Sequence, residues 1–435
     1  MRIASITSGA AGMICGSCLK DNTLAAALSQ LGHDAFLIPT YTPIRTDEPD
    51  VSRSPVFLGG INVYLQQMGR IFRHLPRPIT RWLDRPRVLR WVGRFAGAVQ
   101  ADKLANLTLS MLKGVEGRQR REFVRLIDWL ESDLKPDIVL LSNVLISGMI
   151  PEFKRRLGIP IVATLQGDDV FLDLFPPDLR ERATELIRRN CEGVDGYLVT
   201  CRWYADYMAS YLGLRRELMH VVYPGIRLGG YEVTNTTNAE PVIGYLARIA
   251  PEKGLHNLAE GFIRLRQMPG TPRCRLHIAG WLGSHQRSYL DGVMNRFAKH
   301  GLHDDVTLVN AESHAEKQRF LHGLDILSVP TAFLEPKGLY VLEALATGVP
   351  VVQPRHGAFP EIIEHTGGGL LVAPNDADDL ARGLQRLVAD GSLRRELGLR
   401  GASAVRERFS DVRMARDTIE VLGELLAPHR PATHD

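Results

Sequence analysis

Residues 328–352 read SVPTAFLEPKGLYVLEALATGVPVV, and this stretch decides the architecture. A short apolar run ends at Pro330, Pro336 and Gly338 make a tight turn, and an apolar segment follows from about Leu339 to Thr347. Gly348 and Pro350 close that segment before a second β-branched run. Pro before a helical segment and Gly just past it are helix punctuation, so the stretch reads as strand, turn, helix, strand. That is the repeating unit of a parallel sheet covered by helices.

The same alternation runs outward in both directions. Upstream, strands are expected at Ile3–Thr7, Asp34–Pro39, Asp137–Ser142, Ile159–Leu165, Gly196–Thr200 and Met219–Tyr223. Around Leu228–Pro241 the pattern lapses into LGGYEVTNTTNAEP, which is polar and has no apolar period. It then restarts with Val242–Leu246, Arg275–Ala279, Val306–Val309, Ile326–Pro330, Val349–Gln353 and Gly369–Val372. The expected fold is therefore α/β: two Rossmann-like, doubly wound domains, 1–228 and 241–411, facing across a cleft and joined by a linker over 229–240. The last amphipathic stretch, 412–426, either caps the second domain or crosses back to the first.

Composition narrows the class. The 435 residues exceed one ordinary core, and a net charge of +4 implies no general affinity for nucleic acid. Five scattered cysteines do not make a disulfide framework, which favours a reducing cytoplasm. Ile3–Ile14 is broken by Ser5, Thr7, Ser8, Gly9 and Gly12, so it reads as a buried strand and glycine turn rather than a signal peptide. No window approaches the ~20 apolar residues that span a bilayer.

Four turns of the second half share one chemistry. After Val242–Leu246 come Arg248 and Lys253, two cations able to meet a pyrophosphate, one as a fork and one as a point charge. After Arg275–Ala279 come Gly280 and Gly283, which allow backbone to approach a ligand closely. The amides of Gly338, Leu339, Tyr340 and Val341 open a helix, where the dipole favours an anion. Glu343, about one turn in, could accept the hydroxyls of a ribose, and Glu335, before the helix, could meet the sugar at the other end of such a ligand. The fourth turn, QPRHGAFPEII, adds Gly357 and Glu361; His356 is expected to shape it rather than to move protons.

The order R-x4-K, then E-x7-E in EPKGLYVLE, then GVPVV, a Gly-to-Pro-Glu turn and GGLLV resembles the retaining glycosyltransferases of family 4, which have the GT-B fold. The resemblance covers Val242 to Val388. It implies that Arg248 and Lys253 hold a diphosphate, Glu335 touches the donor sugar and Glu343 holds the ribose. Lys337 departs from the pattern, since an aromatic is more usual there.

The resemblance also implies that the glycine loop GAAGMICGSC covers the donor phosphates, through Gly9, Gly12 and Gly16. Cys15 and Cys18 in that loop, with no second C-x-x-C, are expected to pack rather than to bind metal or cycle redox state. Gln166 stands about where such proteins usually carry a sugar-contacting His, leaving Gln166, Asp168 or Asp169 to supply a contact. Asp376 and Asp378 form a D-x-D, but acids before an amphipathic stretch read first as a helix start.

The implied reaction is sugar transfer from a nucleotide diphosphate sugar to an acceptor with retention, by front-face attack, without metal or cofactor. A nucleotide-sugar epimerase and a non-catalytic nucleotide-sugar binding protein are the alternatives. Base, sugar and acceptor are not legible. Residues 72–95 interleave seven Arg with Trp, Phe and Leu, a composition that suits either an anionic membrane face or aromatics tucked into the domain. If the first holds, binding to anionic vesicles weakens as salt rises and neutral vesicles do not bind; equal binding to both, or to neither, favours the second.

Overall fold

The structure is a computed structural model that describes residues 1–8, 16–40, 44, 46–52, 101–233, 238–283, 286–311 and 313–427, with the backbone alone at 101–104. Its apolar runs become two six-stranded parallel sheets, ordered β2-β1-β3-β4-β5-β6 and β12-β11-β10-β7-β8-β9. The first holds β1 (Arg2–Thr7), β2 (Asp34–Pro39), β3 (Ile138–Leu141), β4 (Ile161–Leu165), β5 (Gly196–Val199) and β6 (Met219–Val221). The second holds β7 (Val242–Leu246), β8 (Arg275–Ala279), β9 (Val306–Val309), β10 (Ile326–Leu327), β11 (Val351–Pro354) and β12 (Gly369–Val372).

Strands β3, β4, β5, β7 and β11 are buried along their whole length. That follows from near-continuous Val, Ile and Leu: a parallel sheet is covered on both faces, so no polar face alternates with the apolar one. Each strand expected from sequence forms, and the differences lie at the ends. Ile159–Leu165 begins its pairing only at Ile161, because Pro160 has no N–H for the ladder. The run to Pro330 stops as strand at Leu327, since Val329 N–H turns to the Gln353 side chain, at 3.3 Å, and Pro330 again has no donor.

Contacts divide the chain into Met1–Tyr223 with Met414–Asp435, and Pro224–Arg413. In the first unit, Ile3, Leu28, Ile138, Leu140, Val162 and Leu198 form a core that Met414, Ala415, Val421 and Leu422 complete. In the second, the expected linker is tied down at both ends that are described. Gln318 Nε2 donates to Gly229 O at 2.8 Å, and Asn238 Nδ2 to Asp325 Oδ2 at 2.8 Å.

Five helices matter for the site: α1 (Gly16–Gln30), α2 (Leu255–Gln267), α3 (His314–His322), α4 (Leu339–Ala346) and α5 (Ala377–Ala389). Asp376 caps α5, its side chain accepting from the amides of Asp378 and Asp379, so the D-x-D is a helix start. Helix α3 opens on a reciprocal capping box between Ser313 and Glu316.

The order of each sheet reverses once, between β1 and β3 in the first and between β7 and β10 in the second. Ligands of open α/β sheets gather outside the strand carboxyl ends at such a reversal. Gly254 presses the turn after β7 onto the turn after β10: its φ is 71°, and a Cβ there would lie 1.8 Å from Pro330 O. Gly254→Ala is expected to lower stability by about 2–4 kcal/mol, from left-handed strain plus backbone displacement. Gly292→Ala, on an open helix position with nothing within 4 Å, is expected instead to raise it by roughly 0.5–1 kcal/mol. Urea unfolding of both variants checks the difference in sign.

Candidate functional site

Three turns of the second unit knit together beyond the ends of β7, β10 and β11. Ala332 N–H donates to Glu252 O at 2.9 Å, and Ala358 N–H to Glu335 O at 2.8 Å. Gly357 leaves no room for a side chain there, since a Cβ would lie 2.5 Å from Glu335 O. His356 Nε2 meets Thr331 O at 3.1 Å, and burial lowers its affinity for a proton. The ring is thus a neutral turn member whose Nε2 donates.

Lys253 stands at the centre. Its Nζ lies 2.7 Å from Glu335 Oε2 and sits over the rings of Phe333 and Tyr340, 4.5 and 5.6 Å from their centroids. Glu335 is 4% exposed, and its carboxylate also accepts from the Tyr340 hydroxyl at 3.2 Å and the Lys337 amide at 3.3 Å. Burial alone would raise the Glu335 pKa, but the charge and hydrogen bond of Lys253, with the charge of Lys337, hold it below the ordinary 4.5. Burial pushes the Tyr340 hydroxyl well up, so it stays a donor.

Helix α4 begins beside this cluster on Gly338, φ 63°. The amides of Gly338, Leu339 and Tyr340 have no backbone acceptor among the described residues. Val341 differs from expectation: its N–H closes onto Gly338 O at 2.9 Å, which removes it from an anion site. Glu343, one turn further, is buried, with Lys317 Nζ 2.5 Å and Tyr231 Oη 3.2 Å from its Oε1. Gly280, with φ 147°, lets the end of β8 close on Ala247, whose oxygen would lie 1.7 Å from a Cβ. Arg248, on the same turn as Lys253, pairs with Glu252 four residues on. Lys253, Glu335, Tyr340 and the start of α4 therefore form one cluster, Glu343 a second with Lys317, and Arg248 is engaged separately.

In the first unit, Gln166, Asp168 and Asp169 are all buried and all engaged internally. Gln166 Nε2 donates to Asp21 Oδ1 at 3.1 Å and Ser142 O at 2.8 Å. Asp168 accepts from the amides of Val144 and Gln166, and Asp169 from Tyr204 Oη at 2.5 Å. Burial raises the Asp169 pKa despite that hydrogen bond. Gly16 opens α1 in an exposed position, and Cys18 is buried. Gly9, Gly12, Cys15 and residues 72–95 lie outside the described residues.

Sequence reasoning missed Lys317, Tyr231 and Phe333. Lys317 had a visible signal, because it falls three and four residues before the buried Phe320 and Leu321, on the apolar face of α3. Tyr231 had none, being embedded in a polar stretch. Among the described residues no cluster of three or more His, Cys, Asp or Glu could hold a metal ion, and no helix is long and apolar enough to cross a membrane.

The two sheets with their reversals define the class: a double Rossmann-like α/β protein of the GT-B fold. Solved structures share it across 98% of the chain: sucrose-phosphate synthase from Thermosynechococcus elongatus, with TM-score 0.71 at 18% identity over the whole of that chain, and Anabaena HepE in complex with UDP and glucose, 0.67 at 16%, again over the whole. Residues 22–225 match the family model described as Glycosyl transferase 4-like domain, and 232–403 the one described as Glycosyl transferases group 1. These two matches make the chain similar, over adjoining stretches, to glycosyltransferases of the 4-like and group 1 type.

Curated relatives agree in class. An uncharacterized glycosyltransferase of Methanocaldococcus jannaschii is 26% identical over 182 residues, 42% of this chain and 44% of that one. A D-inositol 3-phosphate glycosyltransferase of Segniliparus rotundus is 26% identical over 294 residues, 64% and 65%. The chain spans less than half the length of the M. jannaschii relative.

The pairing of Lys253 changes what its removal should do. The sequence treats Arg248 and Lys253 alike, as two cations able to meet a pyrophosphate. Lys253→Met instead strands a buried carboxylate, and about 3 kcal/mol of stability is expected to go, the low end for breaking a buried pair because Lys337 and Tyr340 remain. Arg248→Ala breaks only a partly exposed i,i+4 pair and is expected to cost under about 1 kcal/mol. Because the Glu335 pKa is depressed on folding, the carboxylate's contribution is whole above 4.5 and is lost as pH falls through the lower folded value. Melting curves of the two variants against wild type, from pH 7 down to 4, check both the ranking and the acid loss.

Proposed function

We propose that the protein is a retaining glycosyltransferase that moves a sugar from a nucleotide diphosphate sugar to an acceptor. What supports this most is the arrangement along one turn and one helix. The partly buried Lys253 and the buried Glu335 stand beside three amides at the start of α4 that have no backbone acceptor among the described residues, and Glu343 follows one turn on. A donor laid along them would put its sugar at Glu335, its diphosphate at Lys253 and the amides, and its ribose at Glu343. Arg248 would turn from Glu252 to the diphosphate.

In the proposed reaction the bond from the sugar's anomeric carbon to the diphosphate breaks and the acceptor oxygen bonds to that carbon on the same face. The acceptor's proton passes to an oxygen of the departing diphosphate. In this scheme Lys253, Arg248 and the amides of Gly338, Leu339 and Tyr340 would stabilise the negative charge that grows on the diphosphate. Fixed cations and amides supply what a metal does elsewhere, so the proposed transfer needs none. The two-carboxylate pair of retaining glycosidases has no part in this scheme.

UDP is the first nucleotide to try, because the HepE structure that shares the fold holds UDP and glucose. UDP, GDP and ADP should be screened for a rise in melting temperature in the presence of EDTA, since a ligand that binds only the folded state stabilises it. At least one is expected to stabilise wild type, and Glu343→Ala is expected to weaken its binding by roughly 10- to 100-fold, the worth of a charge-assisted contact. If none of the three stabilises the protein, or if Mg2+ proves essential, the proposed donor site is wrong.

A further inference from the structure

Glu343 is held in an uneven way. Lys317 Nζ, at 2.5 Å, and the Tyr231 hydroxyl, at 3.2 Å, both donate to Oε1. Oε2 accepts no hydrogen bond among the described residues, yet it is not one of the fully buried polar atoms left without a partner. One oxygen is spent inside the protein and the other is kept available.

The two donors are themselves fixed. Lys317 is 9% exposed, on the face of α3 that carries Phe320 and Leu321 into the core. Tyr231 is 1% exposed; its ring meets His314 edge-on, with centroids 5.6 Å apart, and its carbonyl accepts from Arg406 Nη2 at 2.8 Å. Burying a lysine and a glutamate together is costly unless their hydrogen-bonding capacity is used well. A pair serving the fold alone would gain most by dividing two donors between two oxygens. Placing both on Oε1 gives up that gain and fixes the carboxylate plane instead.

We propose that Lys317, assisted by Tyr231, is a positioning residue for nucleoside recognition: it pins Oε1 of Glu343 so that Oε2 is presented in a fixed orientation to a ribose diol. Side chains on a helix lean toward its N-terminus, which in α4 is the end that carries the Gly338, Leu339 and Tyr340 amides. Lys317 itself touches no ligand. The inference rests on the reading of Glu343 as the ribose acceptor, and its consequence is specific: Lys317 sets the preference for ribose over deoxyribose, not the affinity for diphosphate.

The test compares UDP, GDP and ADP, each with its 2′,3′-dideoxy counterpart, by calorimetric titration of wild type, Glu343→Gln, Lys317→Met and Lys317→Arg in the full chain. Wild type is expected to favour the ribonucleotide by about tenfold or more, the worth of a hydrogen bond to a charged group. Lys317→Met should erase most of that preference while leaving dideoxy affinity within about twofold, and Lys317→Arg should restore it, because Arg keeps the charge and can still donate. Should Lys317→Met fail to fold, Tyr231→Phe, which loses only a hydroxyl, reads the same ratio and is expected to reduce it by a smaller factor. If wild type shows no ribose preference, the reading of Glu343 falls and takes this inference with it. If wild type and Lys317→Met, or Tyr231→Phe in its place, share a preference that Glu343→Gln abolishes, the ribose reading stands and Lys317 is only structural.

Discussion

The site depends on an ion pair between a partly buried lysine, Lys253, and a buried glutamate, Glu335. Lys253 and Glu335 come from turns 82 residues apart in sequence, and their 2.7 Å contact is what aligns the turn after β7 with the turn after β10. Separately buried, either charge would be expelled or neutralised; together, with the Tyr340 hydroxyl and the Lys337 amide on the carboxylate, they are tolerable. The remaining features accommodate that pair. Gly254 allows the two backbones to touch, Phe333 and Tyr340 screen the ammonium group with their ring faces, and Gly357 lets a third turn close over the backbone of Glu335.

Nearly all of the fold was legible, because its signal is local and repeated. Buried parallel strands must be apolar throughout, and the runs at Val242–Leu246 or Ile161–Leu165 could hardly be anything else. The errors sit at ends such as Pro160 and Pro330, where the residue a strand cannot use is itself visible in sequence. The turns carrying Lys253, Glu335 and Glu343 were also legible, since glycine and proline mark them. Their partners were not: nothing in R-x4-K or E-x7-E says that Lys253 already has Glu335, or that Glu343 has Lys317.

The QGDD turn shows the same limit from the other side. Gln166, Asp168 and Asp169 look in sequence like polar groups free to meet a ligand, yet each is engaged with neighbours as distant as Asp21 and Tyr204. Sequence identifies which residues can form hydrogen bonds; only the packed structure tells how much of that capacity is already used. Tyr231 makes the point most plainly, since a tyrosine in a glycine-rich polar stretch turned out to be almost wholly enclosed.

The first unit is assembled from two separated pieces of chain, while Pro224–Arg413 is continuous. Met414, Ala415 and Leu422 are part of the same apolar core as Ile3 and Ile138. During synthesis, therefore, the amino-terminal sheet waits on the ribosome with a wall of its core missing, while everything the second unit needs emerges in one run. The usual vectorial order, in which the first domain made is the first to fold, is inverted here. The half of the protein born first is the half finished last, and its uncovered core is what a chaperone would have to guard in the interval.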